Sequence, residues 1–89
     1  MTSDSWIKAL IANASQSVKE RRETLGWTIY RAAAEAGLSW LAVKQVERGE
    51  RRPSLETFCR LAAGLQMKPS ELLAEIEKQS EHTQKIPKK

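Results

Sequence analysis

Apolar residues recur every three or four positions along most of this chain, and no stretch alternates apolar and polar residues as a half-buried strand does. The first quarter shows this spacing at Trp6, Ile7, Leu10, Ile11, Ala14 and Val18. The pattern predicts an all-α fold. Residues 6–25 form either one helix or two, because Ser15 and Ser17 can each cap a new helix and Ser17 with Glu20 has capping-box spacing.

Capping residues and helix breakers divide the remaining chain into four more helices. The predicted N-terminal caps are Thr28, Ser39 and Ser54. Gly37 and Gly49 end the second and third helices, because glycine tolerates the left-handed backbone found at helix C-termini. Pro69 suits the first turn of the fifth helix. The predicted helices cover residues 29–36, 40–48, 55–65 and 69–78.

The chain has the length of one small domain. With 89 residues it buries about 60% of the surface that its unfolded form exposes, so its stability is marginal without a partner chain. We predict three segments, namely an N-terminal helical extension at residues 1–14, a compact domain at 15–78 and a flexible basic tail at 79–89. Lys85, Lys88 and Lys89 give the tail its positive charge.

Composition excludes several classes of protein. The single cysteine, Cys59, cannot form an intrachain disulfide or a multi-cysteine zinc site, which suits a reducing cytoplasm. The first apolar stretch, residues 6–12, is interrupted by Lys8 and lacks a basic leader. No apolar run approaches the roughly 20 residues that a membrane span needs. We therefore expect a cytoplasmic protein that does not contact membranes.

Residues that carry enzyme or metal chemistry are scarce. Cys59 follows Phe58 and lies one helical turn after Leu55, which predicts a buried, inert thiol. His82 has no second metal ligand at suitable spacing, and neither a nucleophile–base arrangement nor a glycine-rich phosphate loop is evident. We expect no enzymatic activity, no metal, no cofactor and no small-molecule ligand.

Positive charge is concentrated in the middle of the chain. Residues 17–60 hold nine Lys and Arg against six Glu, whereas residues 66–79 hold two Lys against three Glu. This distribution suggests that the middle of the chain faces a polyanion and that the C-terminal helix serves another purpose.

The second and third predicted helices, joined by a short turn with glycine, have the form of a helix-turn-helix unit. One side of the third helix carries Ala42, Val43 and Val46, and Leu38 in the turn joins them. The other side carries Trp40, Lys44 and Arg48 at four-residue spacing, flanked by Leu41 and Gln45. Lysine, arginine and glutamine on an exposed helix can bind base edges and phosphates, although an ordinary solvated helix face has the same spacing.

The run TIYRAAAEAGLSWLAVKQVERG at residues 28–49, followed by Arg52-Pro53-Ser54-Leu55, resembles the Cro/XRE-type helix-turn-helix domain of phage repressors. Residues 18–27 resemble the first helix of that domain, and residues 61–73 resemble parts of its last two helices. The resemblance implies a compact five-helix domain that binds double-stranded operator DNA, usually as a homodimer on a palindromic site. A repressor of mobile-element, restriction-modification controller or antitoxin type is the function we expect.

The resemblance also implies roles for individual residues. The base-facing positions of the third helix are Trp40, Leu41, Lys44 and Gln45. The positions that approach phosphates are Thr28, Tyr30, Arg31, Arg48, Arg51 and Arg52. Arg22 and Glu47 occupy the positions of an arginine and a glutamate that pair, partly buried, between the first and third helices. Such a pair accounts for a glutamate close to a surface that would otherwise be positive.

Two departures from the family pattern leave an alternative open. Ile29 stands where a phosphate-binding glutamine is usual, and the apolar pair Trp40-Leu41 stands where polar residues are commoner. An apolar pair can contact thymine methyl groups or stack against sugars and base edges. It can equally form a protein-binding surface. The alternative function is a protein-interaction module that keeps the fold and binds a regulator or toxin partner instead of DNA.

The fifth helix is the expected dimer contact. Its apolar residues are Leu72, Leu73 and Ile76, and a second candidate set is Trp6, Ile7 and Leu10. Both sets can instead be ordinary core, since a small domain needs apolar residues for its own stability.

Overall fold

The computed structural model describes residues 4–81, which form five α-helices joined by short loops and contain no strands. The helices are α1 (Asp4–Thr24), α2 (Ile29–Ala36), α3 (Trp40–Glu47), α4 (Leu55–Gly64) and α5 (Pro69–Ser80). The predicted all-α, five-helix fold is confirmed. Four residues of the tail that we singled out lie outside the described residues, namely His82, Lys85, Lys88 and Lys89.

The first helix is one continuous element of 21 residues, so no second helix starts at Ser15 or Ser17. Ser17 is buried inside the helix, and its hydroxyl has no hydrogen-bond partner among residues 4–81. The expected boundary between residues 14 and 15 therefore lies within α1. Propagating an existing helix costs less than ending it and nucleating a new one, which explains why the local capping signal was not used.

The predicted caps of the other helices are present. The hydroxyl groups of Thr28, Ser39 and Ser54 each accept a hydrogen bond of 3.1 Å from the backbone N–H three residues later. Gly37 ends α2 with a φ of 69°, a left-handed conformation that residues with a side chain rarely adopt. Helix α3 ends at Glu47 with Arg48 as its cap, and α5 continues two residues past the predicted end.

The core lies where the five helices meet. Its buried members are Val18, Ala32, Ala33, Ala36, Ala42, Val43, Val46, Leu61, Ala62, Leu65, Leu72 and Ile76. Small residues let α2 and α4 approach closely, since a Cβ atom on Gly64 would lie only 2.7 Å from the backbone of Ala36. Most inter-helix contacts pair α1 with α5, and α2 with α4 and α3. Helix α3 is therefore held by its buried side against the rest of the domain.

The N-terminal half of α1 packs beside the end of α5. The side-chain amide of Asn13 donates to the hydroxyl of Ser80 at 2.9 Å, and this hydroxyl donates to the carbonyl of Ile76 at 2.8 Å. Gln79 donates to the carboxylate of Glu20 at 2.8 Å. The bonds of Asn13 and Gln79 attach α1 to the end of α5. Within residues 4–81, no helix is long and apolar enough to span a membrane.

Candidate nucleic-acid interface

The third helix separates a buried side from an outer side. Ala42, Val43 and Val46 are buried in the core. The four residues predicted to face bases lie outside it, with Trp40 and Leu41 42% and 49% exposed and Lys44 and Gln45 half-buried. The geometry therefore leaves two apolar and two polar side chains on the outer side of one short helix.

Two aromatic rings connect the starts of α2 and α3. Tyr30, the second residue of α2, and Trp40, the first residue of α3, have ring centroids 5.6 Å apart with planes tilted by 35°. We call them the aromatic pair. Tyr30 is 66% exposed, so the pair faces solvent. The Nζ atom of Lys44 lies 5.2 Å from the centroid of the Trp40 ring, within cation–π range.

Arg31 is engaged by two neighbours in the structure. Its guanidinium carbon lies 4.5 Å from the centroid of the Trp27 ring, and its Nε atom lies 3.0 Å from the carboxylate of Glu35. Trp27 packs against the core between α1 and α2. Arg31 remains exposed, but a phosphate would have to share it with Glu35.

The predicted ion pair between Arg22 and Glu47 is present and bidentate. Nε and Nη2 of Arg22 donate to the two carboxylate oxygens of Glu47 at 2.7 and 2.9 Å, and Nη1 donates to the backbone carbonyl of Trp27 at 2.8 Å. The side chains are 12% and 5% exposed. The hydrogen bonds that Arg22 donates to Glu47 raise the pKa of the Arg22 guanidinium, against the opposing effect of its burial. The pair joins α1 to the end of α3 and neutralises the glutamate.

The loop after α3 supplies three exposed arginines. Arg48 pairs with Glu50 at 3.2 Å. Arg51 and Arg52 form no ion pair with any residue in the described range 4–81. Thr28, also predicted at a phosphate, caps α2 with its hydroxyl. Among residues 4–81, the arginines of this loop without an ion pair are therefore Arg51 and Arg52.

A groove of about 890 Å³ lies between the N-terminal half of α1, the loop after α3, and α5. Its exposed apolar side chains are Ile7, Ile11 and Leu73, which we call the groove cluster; they are 40%, 38% and 46% exposed. Lys8, Arg51 and Arg52 also line the groove. No residue of α2 and none of the predicted base-facing residues lines it.

The groove changes the expectation for the fifth helix. Leu72 and Ile76 are 1% and 2% exposed and belong to the core, so of the three predicted contact residues Leu73 alone can reach a second chain through its side chain. Ile11 was not among the predicted contacts, although its position one helical turn after Ile7 is the signal that could have found it.

Other chemistry is limited in the described part of the chain. Cys59 is half-buried and thus less enclosed than predicted. No group of three or more His, Cys, Asp and Glu side chains in residues 4–81 is placed to hold a metal ion.

Comparison with known proteins places this geometry in a family. The family model described as helix-turn-helix, HTH_3, matches residues 18–72. The HTH-type transcriptional regulator SutR of Escherichia coli is 35% identical over 51 residues, which are 57% of this chain and 29% of that regulator. The chain thus spans less than a third of that curated relative.

Two solved structures have similar folds. The restriction-modification controller protein C.AhdI from Aeromonas hydrophila has 35% sequence identity and a TM-score of 0.65, over 71% of this chain and 94% of the controller. A transcriptional regulator of the HTH_3 family from Vibrio cholerae has 27% identity and a TM-score of 0.68, over 88% of this chain and 42% of that one.

Proposed function

The chain belongs to the HTH_3 helix-turn-helix family, and we propose that it is a sequence-specific DNA-binding transcriptional regulator that acts as a homodimer on a palindromic operator. The observation that carries this proposal is the outer side of α3, where Trp40, Leu41, Lys44 and Gln45 project from a helix whose other side is buried. In a helix-turn-helix unit this side enters the major groove. Gln45 can bond adenine through two hydrogen bonds, and Lys44 can donate to the acceptors of guanine.

In our proposal, the residues that bind phosphates lie around this base-reading surface. Arg51 and Arg52 are the strongest candidates because they are exposed and have no ion pair among the described residues. Thr28, Tyr30, Arg31 and Arg48 remain proposed phosphate contacts. Arg31 and Arg48 would each exchange a carboxylate partner for a phosphate, which reduces their net contribution.

We propose that a second copy of the chain covers the groove cluster. Ile7, Ile11 and Leu73 leave large aliphatic side chains in contact with water, and such patches usually have a protein partner. A two-fold dimer also matches a palindromic site with half-sites about 34–36 Å apart. Sedimentation velocity at tens of micromolar, with and without DNA, tests this, and monomer under both conditions contradicts it.

We assign the regulator to the controller type and its action to repression. The likeness to a restriction-modification controller over 94% of that protein's chain supports the type. Repression is the direct result when a bound dimer covers promoter DNA. In this proposal the protein acts in the cytoplasm, where a prokaryotic chromosome lies. A reporter driven by the DNA upstream of its own gene should lose expression when the protein is supplied, and increased expression would make it an activator.

A salt titration of binding to random and selected duplexes tests the central proposal. The affinity for random DNA should fall steeply with salt, by about 0.9 log units per log unit of salt for each phosphate neutralised. A duplex selected from a random library should bind about 10³-fold or more tightly than random DNA. Equal affinity for all duplexes, or no binding at low salt, would exclude sequence-specific regulation.

The protein-interaction alternative is supported by the exposed aromatic pair and is separated by the same assay. Trp40→Ala should weaken binding to the selected duplex while the helical circular dichroism is unchanged, because Trp40 is outside the core. If this variant keeps its affinity for DNA and loses binding to a protein partner, the aromatic pair is a protein-binding surface.

A further inference from the structure

Three exposed side chains with apolar surface lie at the starts of α2 and α3. Tyr30 and Trp40 form the aromatic pair, and Leu41 follows Trp40 in the chain. We infer that this surface binds the C5-methyl group of a pyrimidine in the major groove, carried either by thymine or by 5-methylcytosine. The inference rests on the proposed DNA-binding function and specifies what the first turn of α3 reads.

The surface is arranged before DNA arrives. Ser39 caps α3 and Thr28 caps α2, so the starts of both helices are held by hydrogen bonds. Ala42 and Val43 fix the rotation of α3 by their burial in the core. With centroids 5.6 Å apart, the two rings form one apolar surface that spans both helices. A preformed site of two stiff side chains loses little conformational entropy on binding.

The chemistry of the major groove selects the ligand. The C5-methyl group is the apolar group that base pairs present there, whereas the other base-edge groups donate or accept hydrogen bonds. An aromatic face packed against a donor or acceptor would displace the water bound to that group without supplying a new hydrogen bond. This loss costs binding free energy. The aromatic pair therefore favours a methylated pyrimidine over an unmethylated cytosine.

Lys44 adds a polar contact beside the methyl group. Its ammonium lies over the Trp40 ring, 5.2 Å from the centroid, so the cation is held against one face of that ring. From there it can donate to O4 of the same thymine or to O6 and N7 of a neighbouring guanine. A methyl group with an acceptor next to it is thus the pattern that this end of α3 fits.

This assignment gives Tyr30 a different role from the phosphate contact that the family resemblance implies. A phosphate contact would use the hydroxyl group, whereas the aromatic pair uses the ring. Tyr30→Phe keeps the ring and removes the hydroxyl, and Tyr30→Ala removes both. If the ring is what matters, Tyr30→Phe should keep the methyl preference and Tyr30→Ala should lose it.

The test substitutes single bases in a duplex selected from a random library. Deoxyuridine replaces each thymine in turn, which removes the methyl group and keeps every hydrogen-bonding group. We expect one thymine per half-site whose replacement weakens wild-type binding about three- to five-fold, the factor that corresponds to roughly 0.8 kcal/mol for one buried methyl group. Trp40→Ala should bind the duplex with thymine and the duplex with deoxyuridine at that position equally tightly. Leu55→Ala is the control, because it removes an apolar side chain that is 79% exposed at another place on the surface. This variant should lose as much affinity on deoxyuridine replacement as the wild type does.

A second arm identifies the source of the methyl group. At the sensitive position the T·A pair is replaced by C·G, with and without a methyl group on the cytosine. If methylation of the cytosine raises the affinity three- to five-fold, the surface accepts either base. If the affinity does not rise, thymine alone is bound, through its methyl group and O4.

Three results would overturn the inference. If no deoxyuridine substitution weakens binding to a selected duplex, the methyl contact is wrong while the regulator function stands. If deoxyuridine substitution weakens the binding of Trp40→Ala as much as that of the wild type, the aromatic pair does not contact the methyl group. If no duplex is selected at all, the proposed function and the inference fail together.

Discussion

The protein exposes two apolar clusters, and they differ in chemistry and in shape. The first consists of the aromatic pair and Leu41, which stand at the starts of two helices with Lys44 over one ring. The groove cluster is aliphatic and lies in a concave surface next to core residues such as Ile76. Exposed apolar area alone would assign both to protein contacts.

The difference teaches that the neighbours of an exposed apolar residue decide what it can bind. Rings accompanied by a lysine and a glutamine suit a base edge, where an apolar methyl group lies beside hydrogen-bonding atoms. Aliphatic side chains in a groove suit another apolar protein surface. Arg51 and Arg52 adjoin the groove and are also proposed phosphate contacts, so the two surfaces lie close to each other at this loop.

The largest effect should come from breaking the ion pair that joins the helices carrying the two clusters. Glu47→Ala leaves Arg22 largely buried without its carboxylate, and should lower the free energy of unfolding by about 3–5 kcal/mol. Glu50→Ala, which removes an exposed partner of Arg48, should cost about 0–1 kcal/mol. Urea denaturation followed by circular dichroism measures both, and equal midpoints for the two variants would show that the pair is hydrated.

The groove cluster should control assembly and leave base reading intact. Leu73→Lys removes an apolar contact worth about 1.5–3 kcal/mol when buried and adds a charge to a groove already lined by Lys8 and three arginines, so dimerisation should weaken at least ten-fold. Sedimentation velocity measures the shift to monomer. Lys78→Ala, an exposed change later in α5, is the matched control. A Leu73→Lys protein that remains dimeric would place the dimer interface elsewhere.

The base-reading side should control specificity and leave assembly intact. Gln45→Ala removes the proposed contact with adenine and should cost about 1–3 kcal/mol on a selected duplex, with little change on random DNA. Fluorescence anisotropy with both duplexes measures the difference. Loss of affinity on both duplexes in equal measure would assign Gln45 to the backbone and not to a base.

The smallest effect concerns the loop that adjoins both clusters. Arg51→Ala and Arg52→Ala should each weaken binding to all duplexes and reduce the slope of log affinity against log salt by roughly one unit. Dimerisation in the absence of DNA should change little. If instead either variant dissociates the dimer and keeps the salt slope, its arginine belongs to the protein interface and not to the DNA surface.

The sequence alone determined the features that depend on neighbours within a few residues. Three hydroxyl caps and the glycine after α2 predicted where the helices begin and end, because each acts over three or four residues of backbone. The family resemblance added the pairing of Arg22 with Glu47, and the structure has this pair at hydrogen-bond distance. The five-helix fold and the residues on the outer side of α3 could therefore be predicted from the sequence.

Only the tertiary structure decided which apolar residues are core and which face solvent. Helical periodicity groups Leu72, Leu73 and Ile76 as candidates, but Leu73 alone is exposed, because the directions from which α1 and α4 approach α5 select the buried side. The contact between Tyr30 and Trp40 likewise depends on the packing of α2 on α3. Caps act along the chain and can be read from it, whereas burial and ring contacts depend on how distant segments meet.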